Sequence, residues 1–220
     1  LMFYGRGAEN RLSRRDGYCI VTLSWVFFTL FGMLPFYLSG SIDSLTNAFF
    51  ETMSGFTTTG ATILDDIESL SHGMLFWRSL TQWIGGLGIV FFTIAVLPVF
   101  TSGGVQLFSA ESTGVTHDRT HPKINVMAKW LWTVYLILTL AETILLMLGG
   151  MSLFDAVCQS FATTATGGYS TKQASISYWN SPFIEYVVAI FMLLSGVNFA
   201  LFLMCLRGKV SRLFGGEELR

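Results

Sequence analysis

Charge is scarce in this chain: 12% of its 220 residues are Asp, Glu, Lys or Arg, where a soluble domain carries about 25%. That scarcity excludes an ordinary soluble fold. Basic residues interleaved with aromatics are also absent, and with a net charge of -1 nothing points to nucleic acid. The three cysteines, Cys19, Cys158 and Cys205, stand in apolar segments at unrelated spacings, which fits neither a disulfide framework nor a zinc site; they read as buried thiols. No partnered nucleophile, no histidine within an apolar segment and no set of metal ligands occurs there, so the chain does not read as an enzyme. The signal-peptide order of basic, apolar and small-residue regions is missing, the first residue is Leu1, and the chain reads as a piece of something longer. What is abundant is apolar: 52% hydrophobic and 15% aromatic residues, with a mean hydropathy of +0.57. This composition defines an all-α membrane protein that crosses the bilayer several times.

Charge-free intervals locate the crossings. There are 26 uncharged residues between Asp16 and Asp43, 32 between Arg78 and Glu111, and 21 between Glu185 and Arg207, each enough for the ~20 that a spanning helix needs. A fourth span runs from about Val126 to Leu148, with Lys129 near its start and Glu142 well inside. Two further stretches, Ser44 to Phe56 and Ser152 to Thr164, have a helical pattern but are about 13 residues long, too short to cross and long enough to re-enter. Each opens on a capping signature, Ser44 to Asn47 and Ser152 to Asp155. The second is the better capping box, because an acid stands at its fourth position.

Each short helix runs into a small-polar, glycine-bearing loop: Thr57-Thr58-Thr59-Gly60-Ala61-Thr62, and 108 residues later Ala165-Thr166-Gly167-Gly168-Tyr169-Ser170. At that offset Ser44 meets Ser152, Ala48 meets Ala156, Thr58 meets Thr166, Gly60 meets Gly168 and Gly88 meets Gly196, while Glu51 and Gln159 are a polar near-match. One unit of long helix, short helix, glycine loop and long helix is therefore present twice. A glycine can take φ > 0 and let consecutive carbonyls point to a common axis, where an ion trades its water for backbone oxygens. The Thr58 and Thr166 hydroxyls add further oxygens. Eleven of the 13 Lys and Arg residues fall before the first span, between the units or after the last span, which places both termini in the cytoplasm. The loops then face outward beside an acidic cluster, Asp65, Asp66 and Glu68, that concentrates cations.

Thr166 to Ser170 resembles a variant of the potassium-channel filter pattern T-V-G-Y-G. Larger blocks resemble the Trk/Ktr/HKT cation-transporter superfamily, TrkH type: Phe50 to Thr62, Phe76 to Ile89, Gly104 to Glu111 with His121 to Lys123, and Ala162 to Ser170. The resemblance covers nearly the whole chain. It implies potassium uptake across the bacterial inner membrane through a carbonyl-lined filter, with four such units surrounding one pore. The filter residues it implies are Thr58, Thr59, Gly60, Thr166, Gly167 and Gly168, with K+ at Thr58, Gly60, Thr166 and Gly168. Glu51, Arg78, Asp65 and Asp66 would support the filter and its outer vestibule. In plant relatives glycine at the first filter position goes with potassium and serine with sodium, so Gly60 favours potassium. The implied partners are K+, membrane lipid, a second copy of the pore subunit and a cytoplasmic nucleotide-binding regulatory subunit of the TrkA type, which the connection and the basic tail would contact. No cofactor is implied within the chain.

The expected organisation is a basic cytoplasmic segment (1–16), a first pore unit (17–108), a cytoplasmic connection (109–124), a second pore unit (125–207) and a cytoplasmic tail (208–220). The third and fourth units of the family pattern do not occur in these residues. An alternative with the same parts is a two-pore-unit potassium channel chain that completes its pore by dimerising; the blocks at Phe76 to Ile89 and Gly104 to Glu111 argue against it. Channel-like passage and symport with sodium or protons both fit the loops. Individual residues carry plainer readings as well. Glu142 either tunes a cation path or bonds to a neighbouring helix. Glu51 is expected to brace the filter from behind. Arg78 beside Trp77 is expected to be an interfacial anchor, or else a partner of the acidic cluster. Asn198 is read as bonding to another helix, Gly85, Gly86 and Gly88 as close-packing positions, and His117 and His121 as part of a solvated loop.

Overall fold

The structure, a computed structural model, describes residues 14–100 and 120–196, with side chains from 18–88 and 129–196. Among them every regular element is helical: α1 (Arg14–Gly32), α2 (Leu34–Leu38), α3 (Leu45–Phe56), α4 (His72–Phe100), α5 (Thr120–Leu148), α6 (Leu153–Thr164), the 3-10 helix η1 (Ser175–Trp179) and α7 (Pro182–Gly196). The tandem order expected from the sequence is present, with α1, α3 and α4 forming one unit and α5, α6 and α7 the other. Two described stretches are long and apolar enough to cross a bilayer, Tyr18–Leu38 at 21 residues and Lys129–Leu148 at 20 residues. The other two expected spans begin in α4 and α7 and continue into residues 101–111 and 197–207, outside the described residues. Also outside are residues 1–13, the connection at 109–119 with His117 and Arg119, the block Gly104 to Glu111, Asn198, Cys205 and the tail at 208–220.

The first span is interrupted. Pro35 has no N–H to continue the ladder of α1, and the chain turns at Met33 before α2 resumes. The first helix of the second unit begins at Thr120. α5 takes in residues 120–124, which the sequence reading placed in the connection, and Pro122 is tolerated because first-turn amides have no intrahelical acceptor in any case. Cys19 is exposed on α1 and Cys158 buried on α6, so the expectation of buried thiols holds for only one of these two.

Local chemistry sets the two short helices. The Ser44 hydroxyl accepts from the Asn47 N–H at 3.5 Å, and the Ser152 hydroxyl from the Asp155 N–H at 3.1 Å while donating to Asp155 Oδ2 at 2.7 Å. Replacing a capping serine by alanine costs about 1 kcal/mol. Ser152→Ala is therefore expected to destabilise the protein by about that much, and Ser44→Ala, whose bond is longer, by roughly half as much. Thermal unfolding in detergent checks the order of the two effects.

The helices pack closely around the short ones. α6 lies against α5, α4 and α7, and α3 against α1 and α4, so α4 of the first unit touches the short helices of both. An apolar cluster of Leu138, Leu146, Ala156, Ile184, Val188 and Phe191 joins α5, α6 and α7. Across the unit boundary the Trp83 indole N–H donates to Thr139 Oγ1 at 3.1 Å, and the Tyr135 hydroxyl donates to the Trp83 carbonyl at 3.0 Å. Side chains on Gly85 and Gly86 would collide with the Phe56 backbone and with Tyr135 and Ala165, so these two glycines admit neighbouring elements at close range.

Candidate ion site between the two glycine loops

The two loops leave their short helices in the same way. After α3, the Thr58 N–H donates to the Gly55 carbonyl at 3.0 Å and the Thr59 N–H to the Ser54 carbonyl at 2.9 Å; after α6, Thr166 N–H reaches the Thr163 carbonyl at 2.9 Å and Gly167 N–H the Ala162 carbonyl at 2.8 Å. This is the paired-bond helix ending whose left-handed position normally falls to glycine. Here threonine holds it in both loops, with φ of 53° at Thr58 and 53° at Thr166. A β-branched residue in that region is strained, at a cost of order 1 kcal/mol or more, and such strain clusters at functional sites. Among the described residues neither hydroxyl is engaged by another group.

Two residues further on, Gly60 and Gly168 have φ of 77° and 86°. The loops meet there. A side chain on Gly60 would strike the carbonyl oxygen of Gly167, whereas one on Gly168 would enter open space. The structure thus brings Gly60, Gly167 and Gly168 together, backbone against backbone. Thr59 is bonded sideways to the Thr57 hydroxyl at 2.8 Å.

A buried polar group stands behind this junction. Glu51, on α3, takes the Arg78 Nε–H at 2.7 Å and the Thr62 hydroxyl at 2.9 Å on Oε1, and the Ile63 N–H at 3.0 Å on Oε2. Arg78, on α4, also donates through Nη1 to the Ser170 carbonyl at 3.0 Å, and its guanidinium lies 3.6 Å from the centre of the Tyr169 ring. The Tyr169 hydroxyl crosses to the first unit and donates to the carbonyls of Glu51 at 2.9 Å and Ala61 at 3.2 Å. Burial, followed by the nearby Glu51 carboxylate, pushes the Tyr169 phenol above its ordinary range, so it keeps its proton and remains a donor. One turn along α4 from Arg78, Gln82 Oε1 accepts the Tyr169 N–H at 3.1 Å.

These positions correct the expectation for Arg78. It is 2% exposed, neither an interfacial anchor nor a partner of the acidic cluster, because Glu51 offers a buried counter-charge and the Ser170 carbonyl a second acceptor. Asp65 and Asp66 are exposed, and Asp66 Oδ1 is occupied with the Glu68 and Ser69 N–H groups of its own turn. The base near the acidic cluster is Lys172, 3.5 Å from Glu68; Gln173 adds a clasp by accepting the Ile67 N–H at 3.1 Å. Glu142 is fully buried on α5, with no hydrogen-bond partner for either carboxyl oxygen among the described residues. Sequence reasoning missed Gln82 and the cross-unit role of Tyr169. The available signal was the pair Arg78 and Gln82, four residues apart and so on one face of an otherwise apolar helix.

Taken together, these features define a helical membrane chain made of two like units whose glycine loops join over a shared buried ion pair. A family model described as cation transport protein, TrkH, matches residues 3–215, and the chain belongs to that family. It is 44% identical over 216 residues to the Trk system potassium uptake protein TrkH of Escherichia coli strain K12, covering 97% of this chain and 45% of that protein. It is 37% identical over 213 residues to the Trk system potassium uptake protein TrkG of the same strain, covering 96% and 44%. Among solved structures, the crystal structure of the potassium transporter TrkH from Vibrio parahaemolyticus superposes with a TM-score of 0.74 at 40% identity, over 88% of this chain and 38% of that one. The chain spans about half the length of the curated relatives it matches.

Proposed function

We propose that this chain supplies two units of a potassium-uptake pore, and that the loops at Thr58 to Gly60 and Thr166 to Gly168 form two walls of its selectivity filter. The observation that carries this reading is the junction of Gly60 with Gly167 and Gly168, where glycines with matching left-handed φ meet, each two residues after a threonine that is itself left-handed. Relatives named for potassium uptake supply the ion. Carbonyl and hydroxyl oxygens are the ligands that replace the hydration shell of such an ion.

The exposed face of α7 supports a pore with further units. Arg78 and Gln82 of α4 are buried and bonded to the loop of the second unit, while their counterparts 108 residues later, Tyr186 and Ile190, are exposed. The second unit thus presents the face with which the first unit grips its neighbour. In this reading the protein lies in the bacterial inner membrane with both termini cytoplasmic, Asp65 and Asp66 line the outer vestibule, and the pore subunit pairs with a second copy and with a cytoplasmic nucleotide-binding subunit.

The full-length protein is expected to restore growth of a potassium-uptake-deficient bacterium at limiting potassium. Gly168→Ser in that protein is expected to lower the ratio of potassium to sodium uptake by roughly threefold to tenfold, the effect of a left-handed strain of about 1 kcal/mol where space is free. Absence of growth rescue by the unaltered protein, at normal membrane levels, overturns the proposal.

A further inference from the structure

We infer that Gln82 is a positioning residue for ion selectivity, setting the direction of the Gly168 carbonyl from behind the second loop. The inference rests on the filter reading of that loop and names a residue which that reading does not include.

Gln82 is fully buried on α4 and belongs to the first unit, yet its amide lies against the loop of the second. Its Oε1 accepts the Tyr169 N–H at 3.1 Å. The same amide plane covers Gly167: a side chain there would come within 2.6 Å of both Nε2 and Oε1. Gln82 therefore touches the residues on both sides of Gly168, whose φ is 86°.

Peptide geometry turns this contact into an orientation. The Gly168–Tyr169 peptide is planar and trans, so its N–H and C=O point in opposite directions. With the Tyr169 N–H held toward α4, the Gly168 carbonyl must point away from α4, to the open side of the loop. One turn earlier on α4, Arg78 does the reverse to the next carbonyl but one, drawing that of Ser170 back at 3.0 Å. The helix thus sorts the loop's oxygens, sending Gly168 forward and retaining Ser170. A flip of the Gly168–Tyr169 peptide would aim an N–H at the ion instead, and the bond to Gln82 Oε1 opposes it. The Nε2 of Gln82 has no hydrogen-bond partner there, so the oxygen is the working half of the amide.

The test uses the full-length protein in a potassium-uptake-deficient strain, with potassium and sodium uptake normalised to protein in the membrane. Gln82→Met keeps length and removes the acceptor; it is expected to lower the ratio of potassium to sodium uptake by about tenfold, the consequence of losing one buried hydrogen bond. Gln82→Glu keeps an oxygen facing the Tyr169 N–H and is expected to retain the ratio within about threefold. Should Gln82→Met fail to accumulate, Gln82→Asn, whose acceptor is withdrawn by one methylene, takes its place with the same expectation. Equal losses in the acceptor-keeping and acceptor-lacking variants would make the effect one of packing and overturn the inference. Unchanged ratios in both, beside a changed ratio in Gly168→Ser, also overturn it while leaving the filter reading intact. If Gly168→Ser is unchanged as well, the filter reading of this loop fails and the inference falls with it.

Discussion

Gly60→Ser in the full-length protein is expected to reduce the ratio of potassium to sodium uptake by at least about tenfold, more than the matching change at Gly168. Both positions have left-handed φ, 77° and 86°, and serine is strained at either. They differ in surroundings. A side chain on Gly60 would meet the Gly167 carbonyl oxygen, whereas one on Gly168 meets nothing. The oxygen in the way is part of the second loop's backbone, so it cannot rotate aside like a side-chain tip. Relief requires the two loops to separate, which, under the proposed filter reading, widens the ring of oxygens that ions must fit. Widening favours neither loss of expression nor a general block; it changes which cation is accepted. Uptake of each cation by a potassium-uptake-deficient strain, with membrane protein quantified, gives the ratio. A Gly60→Ser protein that matches the unaltered one in ratio and in growth at low potassium sinks the assignment of Gly60 to the filter. An effect smaller than that of Gly168→Ser leaves the assignment but refutes the steric account.

The difference between what the sequence revealed and what it concealed follows the distance over which each interaction acts. The short helices were legible because their signals are local: a capping serine, about 13 residues of helical pattern and a glycine loop in direct succession. The duplication was legible because it is gapless at 108 residues. The partner of Arg78 was not, since Glu51 lies 27 residues away and is reached only when α3 and α4 pack together. The Tyr169 bonds were farther beyond reach, at separations of 118 and 108 residues. The second of these has a simple meaning in hindsight. Ala61 is the counterpart of Tyr169 in the first unit, so the two loops are linked through equivalent positions. The duplication also hid an asymmetry. In the second unit Gln159 stands for Glu51, Tyr186 for Arg78 and Ile190 for Gln82, so the buried ion pair and its amide exist once, at the boundary between the described units.

That single ion pair carries the largest stability effect expected here. Arg78→Met leaves the Glu51 carboxylate buried without its counter-charge, the Ser170 carbonyl without its donor and the Tyr169 ring without its cation. Removing one partner of a buried pair typically costs about 3–5 kcal/mol, and the mutant is expected to lose most of its folded population in the membrane. Arg78→Lys keeps the charge but not the planar fork that serves Glu51 and Ser170 together, so it should fall between. The informative variant is the double one. Glu51→Gln with Arg78→Met removes both charges, and an apolar or neutral replacement of a buried pair is often close to neutral in stability. Stability in detergent is therefore expected to recover by about 2 kcal/mol or more relative to Arg78→Met alone, the mark of direct coupling. Selectivity is not expected to recover, because the Ser170 carbonyl is then free to turn and Tyr169 has lost the cation beneath its ring. Full recovery of both would reduce the pair to a packing element. Failure of stability to recover would mean that Arg78 acts through Ser170 and Tyr169, and not through Glu51.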